Sequence, residues 1–128
     1  MAAHVALTAF LYVLLTVARA PAVWGLGRQA DGSSPWSAIE PRISANLSNQ
    51  FEWPLFFHGA CLFFLQFPAS QTVVALAWIF LGGRVLHSVV QILTSNVRLR
   101  GLVFTVNFLA VLGLWYLVVA AAGTAAAA

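Results

Sequence analysis

Side chains that could do chemistry lie in two short stretches of an otherwise apolar chain. One stretch is Asn49-Gln-Phe-Glu52, and the other is Arg84-Val-Leu-His87, with Gln91 one helical turn later. At about 100° of rotation per residue, a helix places Arg84, His87 and Gln91 on one face. Ionisable side chains inside such an apolar segment favour a functional site. Four further arginines would suit an anionic ligand at that site, especially one with carboxylates that arginine can hold bidentately: Arg19, Arg42, Arg98 and Arg100.

The segments that carry these side chains have the composition of a membrane protein. The chain has 128 residues, of which 62% are hydrophobic and 7% are charged. A soluble domain of this size could not bury so much apolar surface. The six arginines and three acids are too few and too dispersed for nucleic-acid binding, and no metal-ligand spacing is present. We therefore predict an integral membrane protein in contact with lipid, with no nucleic-acid partner and no metal.

Hydropathy divides the chain into four apolar runs, at about residues 4–24, 43–67, 72–93 and 102–122. Each is near the roughly 20 residues that a helix needs to cross the hydrocarbon. We predict an all-α fold, a single four-helix transmembrane domain over residues 1–128, in which Pro54 bends the second helix. A cleaved signal peptide ending near Ala20 is the less favoured alternative for the first run, because it lacks a positively charged beginning.

The arginines predict the orientation of the chain in the membrane. Arg28 and Arg42 lie in the first connection and Arg98 and Arg100 in the third, whereas the second connection and both ends carry no arginine. Because basic loops stay in the cytoplasm, the first and third connections are expected there and both termini outside. The absence of lysine from an alanine-rich chain favours a bacterial source, and hence the inner membrane.

The polar faces of the four runs are expected to turn away from lipid, because a charged side chain at the bilayer centre costs about 2.5–3.5 kcal/mol or more. Helical rise places Glu52, His87 and the guanidinium of Arg84 at one depth. An ion pair between Glu52 and Arg84 is therefore expected. It either holds helices together or belongs to a polar pocket, whose mouth would carry Arg19, Arg42, Arg98 and Arg100.

The three histidines receive different interpretations. His87 lies on the polar face with Arg84, so we favour a pocket role over simple helix bridging. His58 projects away from the face of Asn49 and Glu52 and is expected to pack between helices. His4 is near the end of the chain and is expected to be exposed and without a role.

These motifs resemble those of a known membrane family. Asn49-Gln-Phe-Glu52-Trp-Pro54 is similar to the N-x-x-E motif of MAPEG, the membrane-associated proteins in eicosanoid and glutathione metabolism, and to its bacterial members in particular. Arg84-Val-Leu-His87, followed by Asn96, Arg100 and Phe104, is similar to the third and fourth helices of that family. The resemblance covers residues 42–104 and implies a homotrimer of four-helix subunits that binds glutathione between subunits near the cytoplasmic face.

The resemblance also implies roles for individual residues. Arg100, with Arg19 as the second candidate, would be catalytic by stabilising the thiolate of glutathione. That thiolate would attack a lipophilic electrophile or peroxide that arrives through the bilayer. Glutathione as co-substrate would be held by a set of seven residues in which Arg84 supports Glu52. They are Arg42, Asn49, Glu52, Arg84, His87, Gln91 and Phe104.

Gln91 and Phe104 mark a departure, because several family enzymes have tyrosine at these two positions. A glutathione-dependent transferase or peroxidase is the first functional hypothesis. The second is a non-catalytic protein of the same fold that binds lipid or regulates a partner, since family membership alone does not make an enzyme. A small transporter or channel subunit is the third, and it would need a polar path that the apolar outer halves of the spans do not provide.

Overall fold

The computed structural model describes residues 1–126, which form five helices and no strand. The helices are α1 (Ala2–Trp24), α2 (Glu40–Asn49), α3 (Pro54–Phe63), α4 (Gln71–Leu93) and α5 (Val97–Ala126). The prediction of an all-α chain is confirmed. The helices pack against one another in one bundle. Within it, α4 and α5 lie side by side as an antiparallel pair joined by a short connection.

Three of the helices, α1, α4 and α5, are long and apolar enough to cross a membrane. Their limits lie within a few residues of the first, third and fourth predicted spans. The last helix begins five residues before its predicted span, because Asn96 caps it. The Asn96 Oδ1 atom accepts a hydrogen bond from the Leu99 amide at 3.0 Å, which satisfies a free N–H of the first turn.

The second predicted span is two helices of ten residues each rather than one bent helix. Proline has no N–H to donate and its ring collides with the carbonyl four residues earlier, which here is that of Gln50. Pro54 therefore occupies the first position of α3, a place that proline favours, and the chain turns through residues 50–53. The consequence is that side chains before and after this turn do not follow a single helical face.

The connection between α1 and α2 is an ordered, exposed loop. Gly25 ends α1 in the left-handed conformation, at φ 72°, and its N–H bonds the Pro21 carbonyl. Asp31 accepts hydrogen bonds from the hydroxyl and the amide of Ser33, at 2.6 and 2.9 Å, and these bonds hold the pKa of the Asp31 carboxyl below its usual range. Arg28 donates to the Pro21 carbonyl at 2.7 Å, which ties the loop back onto α1.

Two apolar clusters lie at different ends of the molecule. In one, Phe57 of α3 stacks on Phe80 of α4, with ring centroids 4.1 Å apart, next to Leu114 of α5. In the other, Leu11 and Leu15 of α1 pack with α2 and the end of α4. Buried polar side chains lie between these clusters, at the turn that separates α2 from α3.

Candidate functional site

Arg84 lies at the centre of the buried polar layer and has no exposed surface (0%). Its Nε and Nη2 atoms donate to the Gln50 Oε1 atom at 3.2 and 3.0 Å, and Nη2 also donates to the Asn49 carbonyl at 2.7 Å. Asn49 is the last residue of α2, so the guanidinium satisfies a carbonyl that the end of the helix leaves free.

The expected ion pair between Glu52 and Arg84 is wrong for this chain. Within residues 1–126, the one ion pair joins Arg19 to Glu40. The physical reason is the turn through residues 50–53, which removes Glu52 from the face of Asn49 and leaves its side chain exposed. Gln50 takes the place in front of Arg84 that an unbroken helix would have given to Glu52.

Gln50 is the residue that joins the buried polar layer, and the sequence reasoning missed it. Its side chain is 3% exposed. Besides accepting from Arg84, it contacts the His4 Nε2 atom at 3.0 Å and donates to Asn46 Oδ1 and Ser88 Oγ, both at 3.3 Å. These bonds connect α1, α2 and α4 through one amide group.

The prediction that His4 is exposed is also wrong, because the side chain is 2% exposed. Its second ring nitrogen contacts the His58 Nε2 atom at 3.1 Å, so the two histidines join α1 to α3. A signal for this was present in the sequence. His4 stands four residues before Thr8, on the same helical face as the other polar residues of the first run.

Gln91 is held from the opposite side by two amide groups of α2. The Asn46 and Asn49 Nδ2 atoms both donate to the Gln91 Oε1 atom, at 3.0 and 3.1 Å. The polar layer therefore runs from His58 and His4, through Gln50 and Asn46, to Gln91. This last residue lies at the edge of two surface grooves.

The larger of these grooves, called the large groove below, has a volume of about 830 Å³. It brings together six of the predicted site residues: Asn49, Glu52, His87, Gln91, Arg100 and Phe104. The imidazole of His87 is 2% exposed, and its Nδ1 atom has no hydrogen-bond partner among the described residues. A carboxylate, a guanidinium, two amides and an imidazole thus line one surface.

The rest of the lining of the large groove is mainly aromatic and apolar. Trp53 stacks on Phe108 with ring centroids 4.6 Å apart and contacts Phe56 at 5.1 Å, while Phe51 and Leu55 also belong to this apolar wall. Phe51, Leu55, Phe56 and Phe104 are each more than one-third exposed. A groove lined by both polar and apolar side chains suits one polar and one apolar ligand together better than a single, wholly polar ligand.

The second groove, called the small groove below, has a volume of about 350 Å³ and adjoins the first. It is lined by Arg42 and Arg100, and Gln91, Val97 and Arg100 line both grooves. Arg42 Nη1 donates a long hydrogen bond of 3.4 Å to the Thr94 carbonyl at the end of α4. Two guanidinium groups in one groove can bind a carboxylate.

Two predicted site residues lie outside both grooves. Arg84 does not line the large groove but is buried, and it donates hydrogen bonds to Gln50 and to the Asn49 carbonyl at the end of α2. Arg19, about half-exposed, donates to Glu40 at 2.7 Å and to Ser44 at 3.2 Å. The single chain therefore unites six predicted residues in one groove and Arg42 in the next, and leaves Arg19 apart.

The charges of the two grooves suit a ligand that is itself charged at both ends. Arg42 and Arg100 can pair with carboxylates, and Glu52 can pair with an ammonium group. In the described part of the chain, no three His, Cys, Asp or Glu side chains are grouped closely enough to hold a metal ion.

Comparison with known proteins identifies the family. The model of the MAPEG family matches residues 1–120, which is nearly the whole chain. No curated protein and no solved structure matches the chain. The match agrees with the three apolar helices and with the motifs at Asn49–Glu52 and Arg84–His87 that line or support the large groove. This chain belongs to the MAPEG family.

Proposed function

We propose that this protein is a glutathione-dependent transferase or peroxidase that acts on lipophilic electrophiles in the membrane. The single observation that carries the proposal is the large groove, where Asn49, Glu52, His87, Gln91, Arg100 and Phe104 meet. Family membership supports the choice of glutathione as the thiol. The apolar wall of the groove supports a lipophilic second substrate that enters from the bilayer.

In the proposed chemistry, the polar residues of the large groove bind glutathione and its apolar residues bind the electrophile. Arg100 stabilises the thiolate of glutathione, because a nearby cation lowers the pKa of a thiol. Glu52 holds the amino group of the tripeptide and Arg42 one of its carboxylates, while Asn49 and His87 bind its amides. The thiolate sulfur then attacks the electrophilic atom of a substrate that lies against Trp53 and Phe56, and the leaving group departs with the displaced electron pair.

We also propose an assembly and an orientation. In the assembly, α2 and α3 together form a second membrane crossing, and three chains form a homotrimer. The large groove supports this, because Glu52 and Arg100 are exposed on a face that would otherwise meet lipid, and a neighbouring chain would shield them. The arginine-bearing connections would face the cytoplasm, with the protein in a bacterial inner membrane.

The test is a titration of the detergent-solubilised protein with glutathione, read by the ultraviolet absorbance of the thiolate. We expect Arg100→Ala to weaken glutathione binding about 10- to 100-fold and to abolish the thiolate signal, because it removes a charge-assisted bond. Arg98→Ala is the matched control, since Arg98 lies two residues away and lines neither groove. No binding at millimolar glutathione would reject the proposal.

A non-catalytic lipid-binding or partner-regulating protein is the second candidate. The observation that favours it is the exposed apolar wall of Phe51, Leu55 and Phe56, which a bound acyl chain would cover. Its mark would be lipid that copurifies with the protein, together with no conjugation of any electrophile to glutathione.

A further inference from the structure

The direction of every hydrogen bond in the buried polar layer follows from Arg84. A guanidinium group can donate hydrogen bonds but cannot accept them. The Gln50 atom that faces Arg84 Nε and Nη2 must therefore be the oxygen, so the amide nitrogen of Gln50 must point the other way, towards Asn46 and Ser88. The two ends of this amide are thus distinguished by chemistry rather than by shape.

The same reasoning extends to the next two amides. Because Gln50 donates, the Asn46 atom that it meets is the oxygen, and the Asn46 nitrogen faces Gln91. The Gln91 atom that receives this bond must be its oxygen, and the Asn49 nitrogen donates to the same atom. The buried Arg84 therefore fixes the orientation of three successive amides, which we call the relay: Gln50, Asn46 and Gln91.

The amide nitrogen of Gln91 is left as a free donor at the end of this relay. Gln91 is 7% exposed, and neither of its amide hydrogens is donated to a protein group within residues 1–126. The side chain lines both grooves, and Arg100 lines both with it, whereas Arg42 lines the small one. A fixed neutral donor and two guanidinium groups thus line the same small groove.

We propose that Gln91 is a specificity-determining residue whose NH₂ group is held by the relay to bind a carboxylate of the ligand at the junction of the two grooves. Arg42 and Arg100 supply the charge for that carboxylate, and Gln91 supplies a donor whose direction is set by Arg84 through the amides of Gln50 and Asn46. The identity of the ligand rests on the proposed function, whereas the orientation of Gln91 does not.

The orientation is tested without any ligand. The chain has five glutamines, and selective labelling of their side-chain amides with nitrogen-15 allows their exchange with water to be followed by NMR. The Gln91 signal is identified by its loss in Gln91→Leu. We expect this amide to exchange rapidly and one other, that of Gln50, to be strongly protected, because it donates to Asn46 and Ser88. A protected Gln91 amide would overturn the proposal.

The recognition of a carboxylate is tested with glutathione as the probe. We expect Gln91→Leu to weaken binding about three- to tenfold, which is the loss of one hydrogen bond, and Gln91→Glu to weaken it further by repulsion. Gln66→Leu and Gln66→Glu make the same changes at an exposed position and should leave the affinity unchanged. Equal affinity of the wild type and both Gln91 variants would overturn the proposal.

A third variant tests the orientation of the Gln91 amide while Gln91 itself is retained. Asn46→Asp presents an acceptor to Gln91, which should then turn its NH₂ group inwards and its oxygen towards the groove. The Asn49 side-chain amide, which makes no other hydrogen bond within residues 1–126, can turn with it. We expect glutathione binding to weaken although Gln91 is unchanged, and the exchange of the Gln91 amide to slow. If the wild type binds no glutathione, the proposed function fails, while the exchange rates still decide the orientation of Gln91.

Discussion

The hydrogen-bond partners of the buried Arg84 are neutral groups rather than a carboxylate, and Gln50 is one of them. Arg84 is fully buried, and its bonds to the Gln50 amide and the Asn49 carbonyl stabilise the charge through dipoles. A carboxylate in the same place would itself lose its hydration, a penalty that can exceed the attraction between the two charges. The amide avoids that penalty and, unlike a carboxylate, has a donor to give to Asn46 and Ser88.

Removal of Gln50 should therefore destabilise the protein far more than an ordinary surface change. We expect Gln50→Leu to lower the free energy of unfolding by about 1.5–3 kcal/mol, because it removes the hydrogen bonds of a neutral amide to a buried charge. The measurement is denaturant or thermal unfolding of the purified protein in detergent. Gln66→Leu, the same change at an exposed site, should have little effect. Similar stability of the two variants would contradict this account.

At this scale the sequence was informative wherever the helix is continuous. The face of Arg84, His87 and Gln91 was predicted from helical periodicity, and all three side chains are buried together on α4. The partner of Arg84 could not be predicted in the same way, since the turn through residues 50–53 exchanges Glu52 for Gln50. The burial of His4 is not predictable from its position, because residues near the end of a chain are usually exposed.

At the scale of elements, the turn between α2 and α3 is what forms the large groove. Continuous helices across this segment would place Asn49 and Glu52 on one face. The turn instead keeps Asn49 against Gln91 and directs Glu52 and Trp53 to the groove wall. Arg84 holds the free carbonyl at the end of α2, so the same buried side chain fixes both the polar layer and the shape of the turn.

The close contact of α4 with α5 depends on a glycine. A Cβ atom at Gly83 would overlap the side chain of Asn107, which is fully buried. We expect Gly83→Ala to lower the free energy of unfolding by about 1–3 kcal/mol, as overpacking does. The adjacent Gly82 has open space at its Cβ position and serves as the matched control.

Gly82→Ala should be neutral or slightly stabilising, by up to about 1 kcal/mol, because alanine has the higher helix propensity. Both variants are compared by thermal unfolding in the same detergent. Equal melting temperatures for the two substitutions would show that the seam between α4 and α5 is looser than the position of Asn107 requires.

The elements themselves were largely predictable because hydropathy acts over whole helices. Three runs of about 20 apolar residues correspond to three long helices. The second run differs from the prediction of one bent helix, because Pro54 is the only break in it and a proline in an apolar run can either bend a helix or end it. Neighbouring groups decide between these outcomes, and here Arg84 and Gln50 stabilise the separated ends.

At the scale of the whole molecule, the charged residues other than Arg84 and Glu52 lie in two connections and in the helix ends beside them. The connection between α3 and α4 holds no charged residue, whereas the connection between α1 and α2 holds Arg28 and Asp31. Arg98 and Arg100 begin α5. This asymmetry is the basis of the proposed cytoplasmic position of both grooves, which open beside the arginines.

The orientation is testable with single cysteines placed in a Cys61→Ser background. Ser37→Cys lies in the connection between α1 and α2, and Ala69→Cys lies in the connection between α3 and α4, both at exposed positions. A membrane-impermeant maleimide should label Ser37→Cys in inside-out vesicles and Ala69→Cys in right-side-out vesicles. The Cys61→Ser protein alone should remain unlabelled, and the reverse pattern would contradict the positive-inside assignment.

The position of the partners of Arg84 in the sequence also bears on the synthesis and insertion of the protein. A helix with a permanent charge near its middle enters lipid at a cost of about 2.5–3.5 kcal/mol unless partners receive that charge. The partners, Asn49 and Gln50, precede α4 in the chain and leave the ribosome first. Asn49 and Gln50 are therefore already synthesised when α4 emerges, so that α4 can insert and form its polar layer in one event.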